Sequence, residues 1–246
     1  MSFKDKVVLV TGGSSGLGFA IAQEFAAQDA LVVITGRRQA QLDEALAILG
    51  DDAVAIAADV SNATDLAALF SRIESLHGRI DVLVANAGMG EITPLGKITE
   101  AAFDRIFDTN VKGVTFTVQG ALPLMGKGSS VVIIGSTASM NPGPGLSVYG
   151  ATKAAIRAMV RSWILDIKGS GIRINLLSPG PVETQSLRSM LADDAEQIIQ
   201  AFSEKSTLGR IGEAHEIGKA VAFLASDASS YINGVELFAD GGASQV

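Results

Sequence analysis

Val7-Val-Leu-Val10, followed by Thr11-Gly-Gly-Ser-Ser-Gly16-Leu-Gly18, decides how this chain folds. Four consecutive apolar residues, most of them β-branched, read as a strand buried on both faces. The glycines then let the backbone turn tightly and approach a bound group closely, and an apolar helical pattern opens directly behind them. A helix N-terminus offers free N–H groups and the positive end of a dipole. Strand, glycine turn and helix together therefore suit a diphosphate. Gly12, Ser14, Ser15, Gly16, Leu17 and Gly18 are the candidate residues for holding it. The spacing Gly12…Gly16-x-Gly18 is longer at its front than the common dinucleotide fingerprint.

Outward from that turn, short apolar runs alternate with longer helical patterns. Val7–Val10, Leu31–Thr35, Val54–Ala57, Val82–Ala85, Val131–Ile134, Ile172–Leu177 and Val235–Phe238 read as strands. Gly18–Gln28, Gln39–Leu49, Ala63–Leu76, Ala101–Met125, Ser147–Lys168 and Ala214–Ser226 read as helices. Such alternation implies right-handed βαβ crossovers and a parallel sheet with helices on both faces. The expectation is one α/β, doubly wound Rossmann domain over residues 1–246, with about seven parallel strands. Residues 183–212 interrupt the pattern after Pro179-Gly-Pro181, and so long an excursion suits a substrate lid. Its residues Leu187, Met190, Leu191, Ile198 and Phe202 either line a pocket or pack the lid's own helices.

Composition narrows the function classes. A formal net charge of −7 argues against nonspecific binding to nucleic acid or an anionic membrane. The chain has no cysteine, hence no disulfide, thiolate metal site or cysteine nucleophile. Two histidines, His77 and His215, do not make a histidine-rich metal site, and no metal is expected. No apolar run reaches the roughly 18 residues of a membrane helix, and the N-terminus enters its first strand without an apolar signal region. A cytoplasmic protein is expected.

The second strand ends in Thr35-Gly36-Arg37-Arg38. An NAD site would place Asp or Glu there for the ribose 2′-hydroxyl, whereas Arg favours the 2′-phosphate of NADP. Asp43 and Glu44 lie too far into the next helix to serve. The reading is therefore NADP(H) rather than NAD(H), held by Arg37 and Arg38. Asp59-Val60 follows the third strand, where Asp59 either caps the next helix or contacts adenine. Asn86-Ala87-Gly88 follows the fourth, small enough for a ribose to pass close.

Tyr149-Gly-Ala-Thr-Lys153 places a phenol and an ammonium one helical turn apart on one face. A fixed cation beside a phenol stabilises the phenolate, so the pair suits general acid/base work. His77 suits a helix C-terminus, Trp163 a core or subunit contact, and Asp193-Asp194 a helix start.

Taken together, Thr11-Gly-x-x-x-Gly16-x-Gly18, Asp59, Asn86-Ala-Gly88, Asn110, Ser136, Tyr149-x-x-x-Lys153 and Pro179-Gly180 resemble the short-chain dehydrogenase/reductase family over nearly the whole chain. The compact length, Phe107-Asp-Thr-Asn-Val-Lys-Gly113 and Glu236-Leu-Phe-Ala-Asp-Gly-Gly242 are most similar to its bacterial secondary-alcohol dehydrogenases and carbonyl reductases. The resemblance implies Tyr149 as acid/base, Lys153 supporting it and contacting the nicotinamide ribose, and Ser136 anchoring the substrate oxygen. Asn110 is implied as a relay that holds a water between Lys153 and solvent. Pro179, Gly180, Val182 and Thr184 are implied at the cofactor, with Thr184 on the nicotinamide carboxamide. A homotetramer is implied, with the two long helices in one interface.

The expected activity is hydride transfer between NADP(H) and a ketone or secondary alcohol. A 3-oxoacyl thioester or sugar reductase is the alternative on the same fold, and Arg157 and Arg161 are candidates for the basic surface that an acyl-carrier protein needs. A non-catalytic NADP(H)-binding regulator is the alternative of another class. The intact Ser136, Tyr149 and Lys153 speak against it.

Overall fold

The computed structural model describes residues 2–191 and 194–245. Seven strands form one parallel sheet: β1 Val7–Thr11, β2 Leu31–Gly36, β3 Val54–Ala57, β4 Val82–Ala85, β5 Ser130–Ile134, β6 Arg173–Pro179 and β9 Glu236–Ala239. Their spatial order is β3-β2-β1-β4-β5-β6-β9. The chain winds outward from β1 to β3, then returns to place β4 on the other side of β1. That reversal opens a crevice beyond the strand C-termini, where open α/β sheets bind ligands.

The sheet is covered on both faces, which explains the unbroken apolar strand runs. One face packs α3 Ala63–His77, α5 Val114–Ala121 and α6 Ser147–Asp166 around Leu69, Ile73, Leu83, Ile133 and Ile156. The other packs α1 Gly16–Ala26, α2 Gln39–Leu49 and α9 Ala214–Ala225 around Ile21, Phe25, Ile34, Leu42 and Val221. α3 starts with Asn62, whose side chain accepts from the N–H groups of Thr64 and Asp65, and closes at Gly78, φ 69°. That cap places His77 at the helix C-terminus, as its sequence position indicated.

The long helix expected over 101–125 is divided. α4 runs Glu100–Phe107, a π-helical turn spans Asp108–Gly113, α5 follows, and Leu122-Pro-Leu124 tightens into one 3₁₀ turn. Proline accounts for the C-terminal change, since it cannot continue the α-helical ladder. The π turn centres on Asn110, whose side chain is bonded to the backbone of Met89 on a different segment. Such single π turns concentrate at functional sites.

The excursion after β6 starts and ends on a two-stranded parallel pair, β7 Val182–Glu183 with β8 Gly212–Glu213. Between them lie α7 Gln185–Leu191 and α8 Ala195–Lys205. Asp194 directly precedes α8 without a side-chain cap, and Asp193 lies outside the described residues. The end of β9 and the loop that follows it fasten both stems. Gly180 N donates to Ala239 O at 3.1 Å, and Thr207 N and Oγ1 donate to Gly241 O at 2.9 and 2.7 Å.

α9, which leaves the second stem, begins with a reciprocal capping box between Glu213 and Glu216. The Arg210 guanidinium grips the Glu216 carboxylate through two contacts of 2.7 and 2.8 Å, and Glu213 N–H adds a third. These contacts hold the Glu216 carboxyl at about 2, below the ordinary 4.5. A depressed folded-state value means stabilisation that is complete above the ordinary value and lost as pH falls through the folded one. The melting-temperature gap between wild type and Glu216→Gln should therefore be constant above pH 4.5 and close as pH falls toward about 2.

Candidate active site

The crevice is built where β1 and β4 part. Thr11 Oγ1, at the end of β1, accepts from the N–H groups of Asn86 at 3.1 Å and Ala87 at 3.0 Å. Asn86 Nδ2 returns a bond to Thr11 O at 2.9 Å and a longer one to Gly12 O at 3.3 Å. Asn86 thus stitches the end of β4 to the glycine turn. Gly12 and Gly16 take φ of 65° and 55°, which only glycine adopts freely. Gly18 serves another need: a Cβ there would stand 2.1 Å from Gly12 O and 2.4 Å from Asn86 Nδ2. Its bare backbone lets α1 start directly against the turn.

α1 begins at Ser15, which is extended and makes no side-chain cap. The first N–H groups of the helix are thus free to meet an anion. Ser15 and Gly16 line a cleft of about 650 Å³, together with Arg38 and Gln41 on one wall and Gly90, Ile92, Ser186 and Met190 on the other. Arg37 is exposed at the end of β2 and does not line the cleft. Ser14 Oγ lies 3.2 Å from the place a Cβ on Gly36 would occupy. Leu17 packs against the α1–α2–α9 core.

Gln41 carries no motif that marks it as a site residue in the sequence. Its Oε1 is buried with no hydrogen-bond partner among the described residues. An acceptor left open in the wall of a cleft fits a ligand that carries N–H or O–H donors. The available signal was position: Gln41 lies three residues past Arg38, on the same helical face.

Asp59 Oδ1 accepts from Ser61 N at 2.9 Å and Ser61 Oγ at 2.7 Å, while Asn62 caps α3. Asp59 therefore closes a turn and is not the cap. Val60 is buried, with both its side chain and its carbonyl oxygen packed on Gly113. Val182 is likewise buried, in β7.

On α6, Lys153 is only 5% exposed. Its Nζ donates to Ile134 O at 2.8 Å and lies 5.7 Å from the centroid of the Tyr149 ring. An ammonium has three donors, and one is used here on the protein. The half-buried Tyr149 hydroxyl makes no hydrogen bond among the described residues. Gly90 touches the ring: a Cβ there would be 3.5 Å from Tyr149 Cδ2 and 3.8 Å from Met190 Sδ. Of the apolar residues singled out in the excursion, Met190 lines the cleft, whereas Leu191 is buried.

Ser136 follows β5 and opens a one-turn helix, Thr137–Ser139, with its Oγ accepting from Ala138 N at 3.1 Å. The hydroxyl hydrogen remains free to donate. Gly150, beside Tyr149, packs on that turn so closely that a Cβ would stand 2.7 Å from Ala138 O. The Ser136 turn and the Tyr149 turn are thereby in direct contact.

Asn110 is fully buried. Its Oδ1 accepts from Met89 N at 2.9 Å, and its Nδ2 donates to Met89 O at 2.8 Å and Thr152 Oγ1 at 3.1 Å. Thr152 Oγ1 in turn donates to Tyr149 O at 2.6 Å. Both amide hydrogens serve the framework, so a water relay would use the second lone pair of Oδ1 or the backbone carbonyl. Gly88 sits between Asn110 and Lys153, its Cβ position 3.4 Å from Oδ1 and 3.5 Å from Nζ. Thr184 caps α7 by accepting from Leu187 N at 3.1 Å, and its methyl is the nearest group to Gly16. Pro179 ends β6, and Gly180 passes against Asp240.

His215 pairs with Glu213 on the surface, and His77 lies at the end of α3 with Nε2 buried and without a hydrogen-bond partner among the described residues. Burial, then the Arg79 charge, lowers the His77 imidazole below its usual value. Among the described residues no cluster of His, Cys, Asp or Glu could hold a metal ion, and no helix is long and apolar enough to cross a membrane.

Residues 12–244 match the sequence model of a family described as enoyl-(acyl carrier protein) reductase. The oxidoreductase asL5 of Sarocladium schorii is 44% identical over 243 residues, covering 98% of this chain and 96% of that protein. The short-chain dehydrogenase/reductase SDRA of Arabidopsis thaliana is 36% identical over 241 residues, covering 96% and 94%. The crystal structure of a short-chain dehydrogenase/reductase of the glucose/ribitol dehydrogenase type from Brucella melitensis superposes with a TM-score of 0.92 at 31% identity over 99% of both chains.

The glycine turn gives a direct test of the crevice. Gly18→Ala should force α1 away from Gly12 and destabilise the protein by about 1–3 kcal/mol. Thermal unfolding measures that loss, and titration with a nicotinamide dinucleotide should show weakened binding in the same variant.

Proposed function

This chain belongs to the short-chain dehydrogenase/reductase family, and from that premise we propose that it interconverts a ketone and a secondary alcohol with NADP(H), Tyr149 acting as general acid/base. The family uses a nicotinamide cofactor. A bound nicotinamide dinucleotide supplies or accepts the hydride at the carbonyl carbon. The observation that carries the reading is the buried Lys153 ammonium on the same helical face as Tyr149, anchored by Ile134 O and close beside the phenol ring.

The residues divide the work as follows. Ser136 donates its free hydroxyl hydrogen to the substrate oxygen and holds it toward Tyr149. Tyr149 gives its proton to that oxygen in reduction and takes it back in oxidation. Lys153 stabilises the phenolate by charge, with two N–H donors left for Tyr149 and for the hydroxyls of a bound ribose. Asn110 fixes the segment at Met89 and, through Thr152, the helical turn of Tyr149. α7 and α8 form the lid, and Met190 of α7 and the Tyr149 ring both pack near Gly90.

NADP(H) is favoured over NAD(H) because Gly36 stands where an acidic ribose ligand would be and Arg38 lines the cleft beside Ser15 and Gly16. Arg37 and Ser14 flank that wall. Exposed Phe103, Phe116 and Leu165 on α4, α5 and α6 support the homotetramer that the resemblance implies.

A second reading, reduction of an acyl thioester on a carrier protein, is favoured by the description of the matching family. Against it, Arg157 is paired with Glu236, which leaves Arg161, exposed on α6, as the remaining candidate to meet an acidic carrier. Parallel assays with ketones, sugars and acyl thioesters separate the two.

Tyr149→Phe removes only the proton donor. Its kcat should fall by about 10²–10⁴-fold with the fold intact by circular dichroism, and wild-type turnover would refute the mechanism. NADPH should be used in preference to NADH. Arg38→Ala should raise the KM for NADPH by about tenfold or more while leaving that for NADH nearly unchanged, as expected for loss of a charge-assisted phosphate contact.

A further inference from the structure

Glu236 opens β9 with a side chain only 10% exposed, and the mechanism above does not use it. Burying a carboxylate is unfavourable unless its oxygens are satisfied. Here Oε1 accepts from Ser178 Oγ at 2.8 Å and from Ser139 Oγ at 3.2 Å, while Oε2 faces Arg157 Nε as an ion pair, with neither atom making a hydrogen bond among the described residues. Every partner stands on an element that carries the site.

Ser178 lies near the end of β6, and its hydroxyl packs so tightly on Gly135 that a Cβ there would be 2.3 Å from Oγ. Gly135 immediately precedes Ser136. Ser139 ends the turn that Ser136 opens, and its N–H donates to Ser136 O at 3.0 Å. Arg157 sits on α6 one turn beyond Lys153 and two beyond Tyr149, on the same face. One carboxylate therefore touches both the Ser136 turn, through Ser139, and the Tyr149–Lys153 helix, through Arg157.

We propose that Glu236, acting with Arg157, is a positioning residue for the reaction: it fixes the Ser136 hydroxyl and the Tyr149–Lys153 face of α6 in one register. The proposal rests on the hydride-transfer reading above. A buried ion pair adds little to stability compared with a well-packed apolar substitute, so stability alone does not explain the arrangement. Positional fixing does, because a catalytic group displaced by about 1 Å can lose about 100-fold in rate. These three contacts tie together the end of β6, the Ser136 turn and α6.

Glu236→Gln keeps an oxygen for the two serines and removes the charge that faces Arg157. The assay uses the full-length protein with saturating NADPH and a ketone reduced by the wild type, below the melting temperature of every variant. Glu236→Gln should lower kcat by about tenfold or more, while the ketone KM and the NADPH affinity stay within about threefold. Adding Arg157→Gln to it should cost little more, since the two side chains act through one contact. A Glu236→Gln enzyme with wild-type kcat, changed only in melting temperature, overturns the proposal. If Glu236→Gln does not fold, Ser139→Ala decides, because it leaves the Arg157 contact in place. A lower kcat at unchanged melting temperature then supports the proposal, and wild-type kcat overturns it. Failure of the underlying reading looks different: the wild type would reduce no carbonyl, or Tyr149→Phe would remain fully active, whatever Glu236 does.

Discussion

A positive charge carried to 5% exposure on Lys153, and met by a single backbone carbonyl, is the constraint on which the site depends. An ammonium in such a place is costly unless its donors find partners. Ile134 O supplies one, and it can do so only because β5 ends there and turns away. The helix must be long enough to bring Lys153 over that strand end, and it packs on the Ser136 turn through a bare Gly150. Gly88 leaves open the space between the ammonium and Asn110. The ammonium stands 5.7 Å from the centroid of the Tyr149 ring. Burial and incomplete satisfaction together keep the cation available to a ligand.

The second requirement is close approach at the sheet's reversal. β1 and β4 are neighbours whose chains leave in opposite directions, and the gap between them would widen without a tie. Thr11 and Asn86 provide it with four hydrogen bonds between side chain and backbone. Gly18 then lets the helix start within contact of the same turn. The crevice is consequently a property of the frame and is shaped before any ligand arrives.

The sheet was legible because its strands are unbroken apolar runs and its helices keep their period between them. The glycine turn and the Tyr149–Lys153 pair were legible for the same reason: a fixed spacing on a known element sets their geometry. Other features were hidden because they depend on contacts between distant segments. The π turn at Asn110 arises from a bond to Met89, a residue on another loop, and local propensity in 101–125 gives no sign of it. Gln41 stands out only through an oxygen that burial leaves unpaired. Asp59 was ambiguous because its role is decided by whether Asn62 takes the cap. Glu236 reads as an ordinary polar residue at a strand start until folding brings Ser139, Ser178 and Arg157 around it.

The final loop has a consequence for how such a protein can change. Gly180 and Thr207, on the two stems of the excursion, are bonded to Ala239 and Gly241, so the excursion is pinned at its base. Length and sequence between 185 and 205 can vary without moving either strand end. Tyr149 and Lys153 on α6 and the glycine turn after β1 lie outside the excursion. Substitution in the excursion can thus reshape the cleft wall that Ser186 and Met190 supply while the frame stays as it is, and grafting one relative's excursion onto another's frame becomes a modular exchange.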